Sequence, residues 1–127
     1  MYKLNDFQSL SETEMKIMKE IWKINRPFKS NELLEVFLVK EGKKWKGQTI
    51  ATFLSRLEDK GMLTVKREGR SNVYSPRLSF EMYEKKKAQG FLNTMYKGSV
   101  KNFLATLYDD DINSEELDEI KKWFDNR

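Results

Sequence analysis

Between Gly47 and Pro76 the spacing of apolar residues changes once, from helical to alternating, across the single glycine Gly61. Ile50, Phe53, Leu54 and Leu57 fall within one arc at about 100° per residue, which predicts a helix over about Gly47 to Lys60. The opposite arc is then polar, with Gln48, Thr52, Ser55, Arg56 and Asp59, and with Thr49 on its flank near the start. Gly61 supplies a left-handed stop. After it, Leu63 to Lys66 and Asn72 to Ser75 alternate around Glu68-Gly69-Arg70-Ser71, a β-hairpin pattern with Gly69 in the turn and Pro76 at its close.

The flanking segments are helical. Ser11-Glu12-Thr13-Glu14 has the form of a capping box, so a helix should begin at Glu12, carry Met15, Met18, Ile21 and Trp22 inward, and stop at Asn25, Arg26 and Pro27. Ser30 is the expected cap of a second helix with Leu33, Leu34, Phe37 and Leu38 on one face and Gly42 at its end. Beyond Pro76, Ser79 should cap a long helix through Tyr96, with Gly90 as a candidate break. Gly98 separates it from a helix carrying Val100, Phe103, Leu104, Leu107 and Tyr108. After the polar stretch Asp109 to Ile112, Asn113 or Ser114 caps a last helix with Leu117, Ile120, Trp123 and Phe124 inward. The chain therefore reads as mainly α with a small hairpin, in two parts, 1–76 and 77–127, joined by a short junction near Pro76 to Ser79.

The 127 residues include no Cys and no His. Thiolates and imidazoles supply most zinc ligands and general bases and every disulfide, so disulfide scaffolds, Cys/His zinc sites and Cys- or His-based hydrolases are excluded. No enzyme activity, metal or cofactor is expected; Asp109, Asp110 and Asp111 read as a solvated loop. No apolar run approaches the roughly 18–20 residues of a membrane span, and Met1 to Leu10 hold no secretory apolar core, so a cytoplasmic location and no membrane partner are expected.

Charge is unevenly placed. Residues 1–76 hold 15 basic and 10 acidic side chains, residues 77–127 hold 9 and 10. The excess concentrates in residues 40–70, where Lys40, Lys43, Lys44, Lys46, Arg56, Lys60, Lys66, Arg67 and Arg70 face four carboxylates. Such a stretch suits a polyanion, or a solvated face with no partner.

Three helices followed by a hairpin, with the third helix polar outside, is the order of a winged helix-turn-helix, in which the third helix enters the major groove and the hairpin lies alongside. Gln48 suits adenine, Arg56 phosphate or guanine, and Thr49 and Thr52 offer a hydroxyl and a methyl. Lys44 and Lys46 add charge at the helix start, and Lys66, Arg67 and Arg70 flank the wing turn, where they equally serve as edge-strand protection. The last 51 residues are too short to bury their apolar stripes well alone, and pairing two copies would cover them; a purely intramolecular core is the alternative use of the same stripes. A winged-helix module that docks onto a larger protein complex is the alternative use of the same features.

Trp45-Lys46-Gly47-Gln48-Thr49-Ile50, Leu54-Ser55-Arg56-Leu57, Lys60-Gly61-Met62-Leu63 and Lys66-Arg67-Glu68-Gly69-Arg70 with Val73-Tyr74 resemble the penicillinase repressor family (BlaI/MecI), including its copper-responsive CopY branch. Leu10-Ser11-Glu12-Thr13-Glu14, Phe91-Leu92-Asn93 and Tyr96-Lys97-Gly98 fit it too, and the similarity spans roughly residues 8–125. The resemblance implies a homodimeric repressor on a palindromic double-stranded operator, with Gln48, Thr49 and Thr52 on the base-reading helix, Arg70 on the wing, and dimerisation through the C-terminal helices. Lys46-Gly47 stands where many relatives have Ser-Pro, which removes a cap and a stiff first turn. Without Cys, the copper-thiolate mechanism is excluded. In the β-lactam-responsive branch a regulatory protease cuts an Asn-Phe bond, and Asn102-Phe103 stands at the matching position; Phe103 is equally explained as a core residue sharing a face with Val100, Leu104 and Leu107.

Overall fold

Helix α1 (Glu12–Ile24) begins with the expected capping box. Glu14 N donates to Ser11 Oγ at 3.1 Å, and Ser11 N donates to Glu14 Oε1 at 2.7 Å, so two amides of the first turn are satisfied reciprocally. Asn25 ends the helix in the left-handed region, at φ 55°. The computed structural model describes residues 9–109 and 114–126. Over these residues the order continues with α2 (Ser30–Glu41), α3 (Gly47–Asp59), β1 (Leu63–Glu68), β2 (Ser71–Pro76), α4 (Phe80–Tyr96), α5 (Val100–Asp109) and α6 (Ser114–Asp125). This is a winged helix followed by three helices. Two compact units divide within α4, after Lys86.

The first unit is built on one apolar core. Ile50, Leu54 and Leu57 of α3 are fully buried against Ile17, Met18 and Ile21 of α1, Leu33 and Phe37 of α2, and Met62 and Leu63 at the start of the hairpin. Each such side chain contributes about 1.5–3 kcal/mol through burial. Phe53, Met15, Trp22 and Leu34 are half-buried around this cluster. Ile17 is as buried as its neighbours although the three- and four-residue spacing of Met15, Met18 and Ile21 passes over it, because the buried stripe of α1 is wider than that spacing. Leu38, by contrast, lies outside the core and is exposed.

The start of α2 differs from expectation. Ser30 is its first helical residue and Lys29 its cap, and the stabilising group is Glu32, whose Oε2 accepts from Lys29 N at 2.7 Å while Oε1 accepts from Arg26 at 2.7 Å. The Arg26 guanidinium, followed by the Lys29 amide, holds the Glu32 carboxyl below its ordinary value.

The hairpin pairs Val65 with Tyr74 and Glu68 with Ser71, leaving Gly69 and Arg70 as the turn, with Gly69 at φ 61°. Phe28, in the connection from α1 to α2, bridges β2: its amide donates to Tyr74 O at 3.0 Å and Tyr74 N donates back at 2.8 Å, and the two rings stack at 5.7 Å. The wing is thus fastened to the helical layer by backbone as well as by side chains.

Ser79 caps α4, accepting from Met82 N at 3.1 Å. The helix runs unbroken through Gly90. Its first turns belong to the first unit, where Trp22 donates through Nε1 to Leu78 O at 3.0 Å and its ring meets Phe80 and Tyr83 at 5.1 and 5.4 Å. In the second unit Phe91, Tyr96 and Phe103 form an aromatic cluster with centroids 5.3–6.2 Å apart. Leu117 and Ile120 of α6 are half-buried, but Trp123 and Phe124, expected to face inward, are 56% and 59% exposed. The expected capping residue Asn113 and the break from Asp110 to Ile112 lie outside the described residues.

One long-range pair joins α1 to α3. Lys60 Nζ donates to Glu14 Oε1 at 2.6 Å and to Ser9 O at 3.0 Å, and Glu14 is only 2% exposed. Burial pushes the Glu14 carboxyl up, but the hydrogen bonds from Lys60 and Ser11 outweigh it and hold the group below its ordinary value of 4.5. A carboxylate lowered on folding stabilises fully above its unfolded value, and that contribution is lost as pH falls through the lower folded value. Glu14→Gln should therefore cost about 2 kcal/mol in urea denaturation at pH 7. Below pH 4.5 the stability of wild type should fall towards that of the variant; equal stability at pH 7 would refute the role assigned to this pair.

Candidate nucleic-acid interface

Trp45 builds the approach to α3. Its ring packs on Phe37 of α2 at 4.9 Å and on Phe53 of α3 at 5.6 Å, and Lys43 Nζ stands 5.3 Å over its centroid. This anchors the connection between the two helices, so Lys44 and Lys46 on either side of Trp45 are exposed next to the first turn. Lys46 is the cap residue in extended conformation, and no side chain caps this end; its carbonyl accepts from Thr49 N and Ile50 N at 3.0 and 3.2 Å. The helix nevertheless starts at Gly47, where the pattern placed it.

Burying Ile50, Leu54 and Leu57 leaves Gln48, Thr49, Ala51, Thr52, Ser55 and Arg56 exposed. Arg56 lies with its guanidinium carbon 5.9 Å from the Phe53 ring. Thr52 Oγ1 donates to Gln48 O at 3.0 Å. On the wing, Lys66, Arg67 and Arg70 are all exposed. Arg67 is steadied by the turn itself, donating from Nε to Gly69 O at 3.2 Å and from a terminal nitrogen to Asn72 Oδ1 at 3.4 Å.

A groove of about 460 Å³ brings α3, the wing and the start of α2 together, lined by Ala51, Arg67, Arg70, Ser71, Asn72 and Tyr74 with Lys29, Ser30 and Asn31. The cations at the α3 start and on its outer arc, with Lys66, lie outside this groove. Lys29, Ser30 and Asn31 were not singled out from sequence, where Ser30 served only as a cap; a cation followed by two small polar residues at a helix start is the signal that was there. Asn102 and Phe103 are elsewhere, in the first turn of α5, Asn102 exposed and Phe103 half-buried. Among the described residues no cluster of Asp and Glu could hold a metal ion, and no helix is long and apolar enough to cross a membrane. Of the three consecutive aspartates, Asp110 and Asp111 lie outside the described residues.

The family model of the penicillinase repressor matches residues 10–126. This chain belongs to the penicillinase repressor family. It is 33% identical to the penicillinase repressor of Bacillus licheniformis over 112 residues, covering 87% of this chain and 85% of the relative. It is 24% identical to the methicillin resistance regulatory protein MecI of Staphylococcus aureus (strain N315) over 118 residues, covering 92% and 94%. Among solved structures, the DNA-binding domain of the repressor BlaI in solution superposes with a TM-score of 0.51 at 34% identity, covering 65% of this chain and 94% of that domain.

Replacing Arg67 and Arg70 together by Ala should flatten the dependence of log K on log salt by about two for a duplex of any sequence, without loss of fold. An unchanged slope would place the wing away from the phosphates.

Proposed function

We propose that this protein is a homodimeric, sequence-specific transcriptional repressor that reads a palindromic operator. Membership of a repressor family supports the DNA-binding role. One observation carries the assignment of the surface: burial of Ile50, Leu54 and Leu57 leaves a polar arc on α3 between lysines at its start and arginines on the wing. Gln48, Thr49, Thr52 and Arg56 face base edges, Lys44, Lys46, Lys66, Arg67 and Arg70 face phosphates, and Lys29, Ser30 and Asn31 extend the backbone contact. Residues 1–76 do the reading and residues 77–127 the pairing.

Pairing is supported by the apolar side chains that the second unit leaves exposed, Met95, Val100, Tyr108, Trp123 and Phe124. A two-fold contact through them would set two reading helices about 34 Å apart, or a multiple of that, on one face of the duplex. Cutting between Asn102 and Phe103 would remove most of α5 and all of α6 from the reading half, and so weaken operator occupancy without touching a DNA contact. The bond lies in helix, where Asn102 N donates to Ser99 Oγ at 3.1 Å, so that turn has to open before a protease engages it.

Gel-shift competition tests the reading. DNA from upstream of the gene should outcompete unrelated DNA, and Thr52→Ala with Arg56→Ala should abolish that preference while the circular dichroism spectrum is kept. Equal binding to both DNAs would refute sequence specificity, and unchanged binding by the double variant would favour the protein-docking module instead. Trp123→Ala with Phe124→Ala should shift the sedimentation coefficient from dimer to monomer at micromolar concentration and weaken operator binding by at least tenfold. A wild-type protein that sediments as a monomer would remove the dimer from the proposal.

A further inference from the structure

Thr52 is exposed on the outer arc of α3, and its hydroxyl is already engaged, because Oγ1 donates to the carbonyl oxygen of Gln48 one turn back at 3.0 Å. A threonine hydroxyl has a single proton. Committed inside the helix, that proton is not offered to the acceptors that a major groove displays, N7 and O6 of guanine, N7 of adenine or O4 of thymine. The same bond selects one of the two side-chain rotamers open to a helical threonine, leaving the γ-methyl as the uncommitted end of the side chain. Ala51, exposed beside it, adds a second methyl and no charge. The oxygen keeps lone pairs, so a contact through it would be made as an acceptor from an adenine or cytosine amino group.

Resting on the operator reading above, we infer that Thr52 is a specificity-determining residue that recognises the 5-methyl group of a thymine by van der Waals contact, and not by a hydrogen bond. The back-bond matters because it changes what a threonine presents. A free hydroxyl would tolerate several bases by rotating, whereas a fixed methyl distinguishes thymine from cytosine and also from uracil, whose hydrogen-bonding edge is the same as thymine's.

The test uses the full chain and a duplex enriched by it from a random-sequence library, with deoxyuridine replacing thymidine one position at a time. One position in each half-site should respond, with affinity falling about fourfold for one half-site and about fifteenfold for both. Thr52→Val keeps a methyl and removes the oxygen, and should keep the sensitivity to uracil at the responsive position. Thr52→Ser keeps the hydroxyl and removes the methyl; it should bind about fourfold more weakly per half-site and be indifferent to uracil at the responsive position. Wild-type affinity in the serine variant, a valine variant indifferent to uracil, or uracil sensitivity that serine does not abolish would each overturn the inference. A library that yields no preferred sequence would defeat the operator reading itself, and this inference with it. A preferred sequence with no thymine coupled to residue 52 defeats only the inference.

Discussion

One buried carboxylate ties the first helix of the winged-helix unit to the end of its third. Glu14 closes the first turn of α1 through the Ser11 amide and, with the same oxygen, receives Lys60 at the end of α3. A charge this buried is costly unless it is paired and hydrogen-bonded, and here both conditions are met by groups from opposite ends of the three-helix layer. The end of α3 is thereby tied to the first turn of α1. Glu20 makes a second, more open tie, receiving Lys40 of α2 at 2.6 Å and Lys23 of its own helix at 3.4 Å. Burial raises its carboxyl too, and these lysines again bring it below the ordinary value.

With that frame in place, the division of labour along α3 follows from periodicity. Ile50, Leu54 and Leu57 enter the core, Phe53 is shared with Trp45, and what is left outside is polar or small. The wing adds cations, yet it is positioned by apolar contacts, since Tyr74 stacks on Phe28 and Val65 packs against the core. Charge and position are thus supplied by different residues. Changing a surface cation should alter affinity for a polyanion without moving the element that carries it.

Features governed by neighbours in sequence were legible from the sequence. The Ser11-Glu14 cap, the stops at Asn25, Gly42 and Gly61, the turn at Gly69 and the two faces of α3 all depend on residues within a turn or two. Those that depend on distant partners were not. Glu14 and Lys60 are 46 residues apart, and Phe28 gives no sign in its own segment that it will bridge Tyr74. Ser30 looked like a cap because of its hydroxyl, but Glu32 satisfies the amide one residue earlier and the helix begins at Ser30 itself. Gly90 passes unbroken because a helical glycine costs only about 1 kcal/mol relative to alanine, too little to interrupt a helix of 17 residues. Trp123 and Phe124 follow the inward pattern of α6 faithfully, yet a periodic stripe says only that a face seeks cover, and both rings remain more than half exposed.

The Phe28 bridge also bears on self-association. A two-stranded ribbon ordinarily has two open borders along which another chain can add a strand. Here the β2 border is occupied from within by the connection after α1. The other border, along β1, carries Lys66 and Arg67, so two such borders brought together would repel. Growth of a continuous cross-strand array is disfavoured on both sides, so the ribbon is a poor template for aggregation.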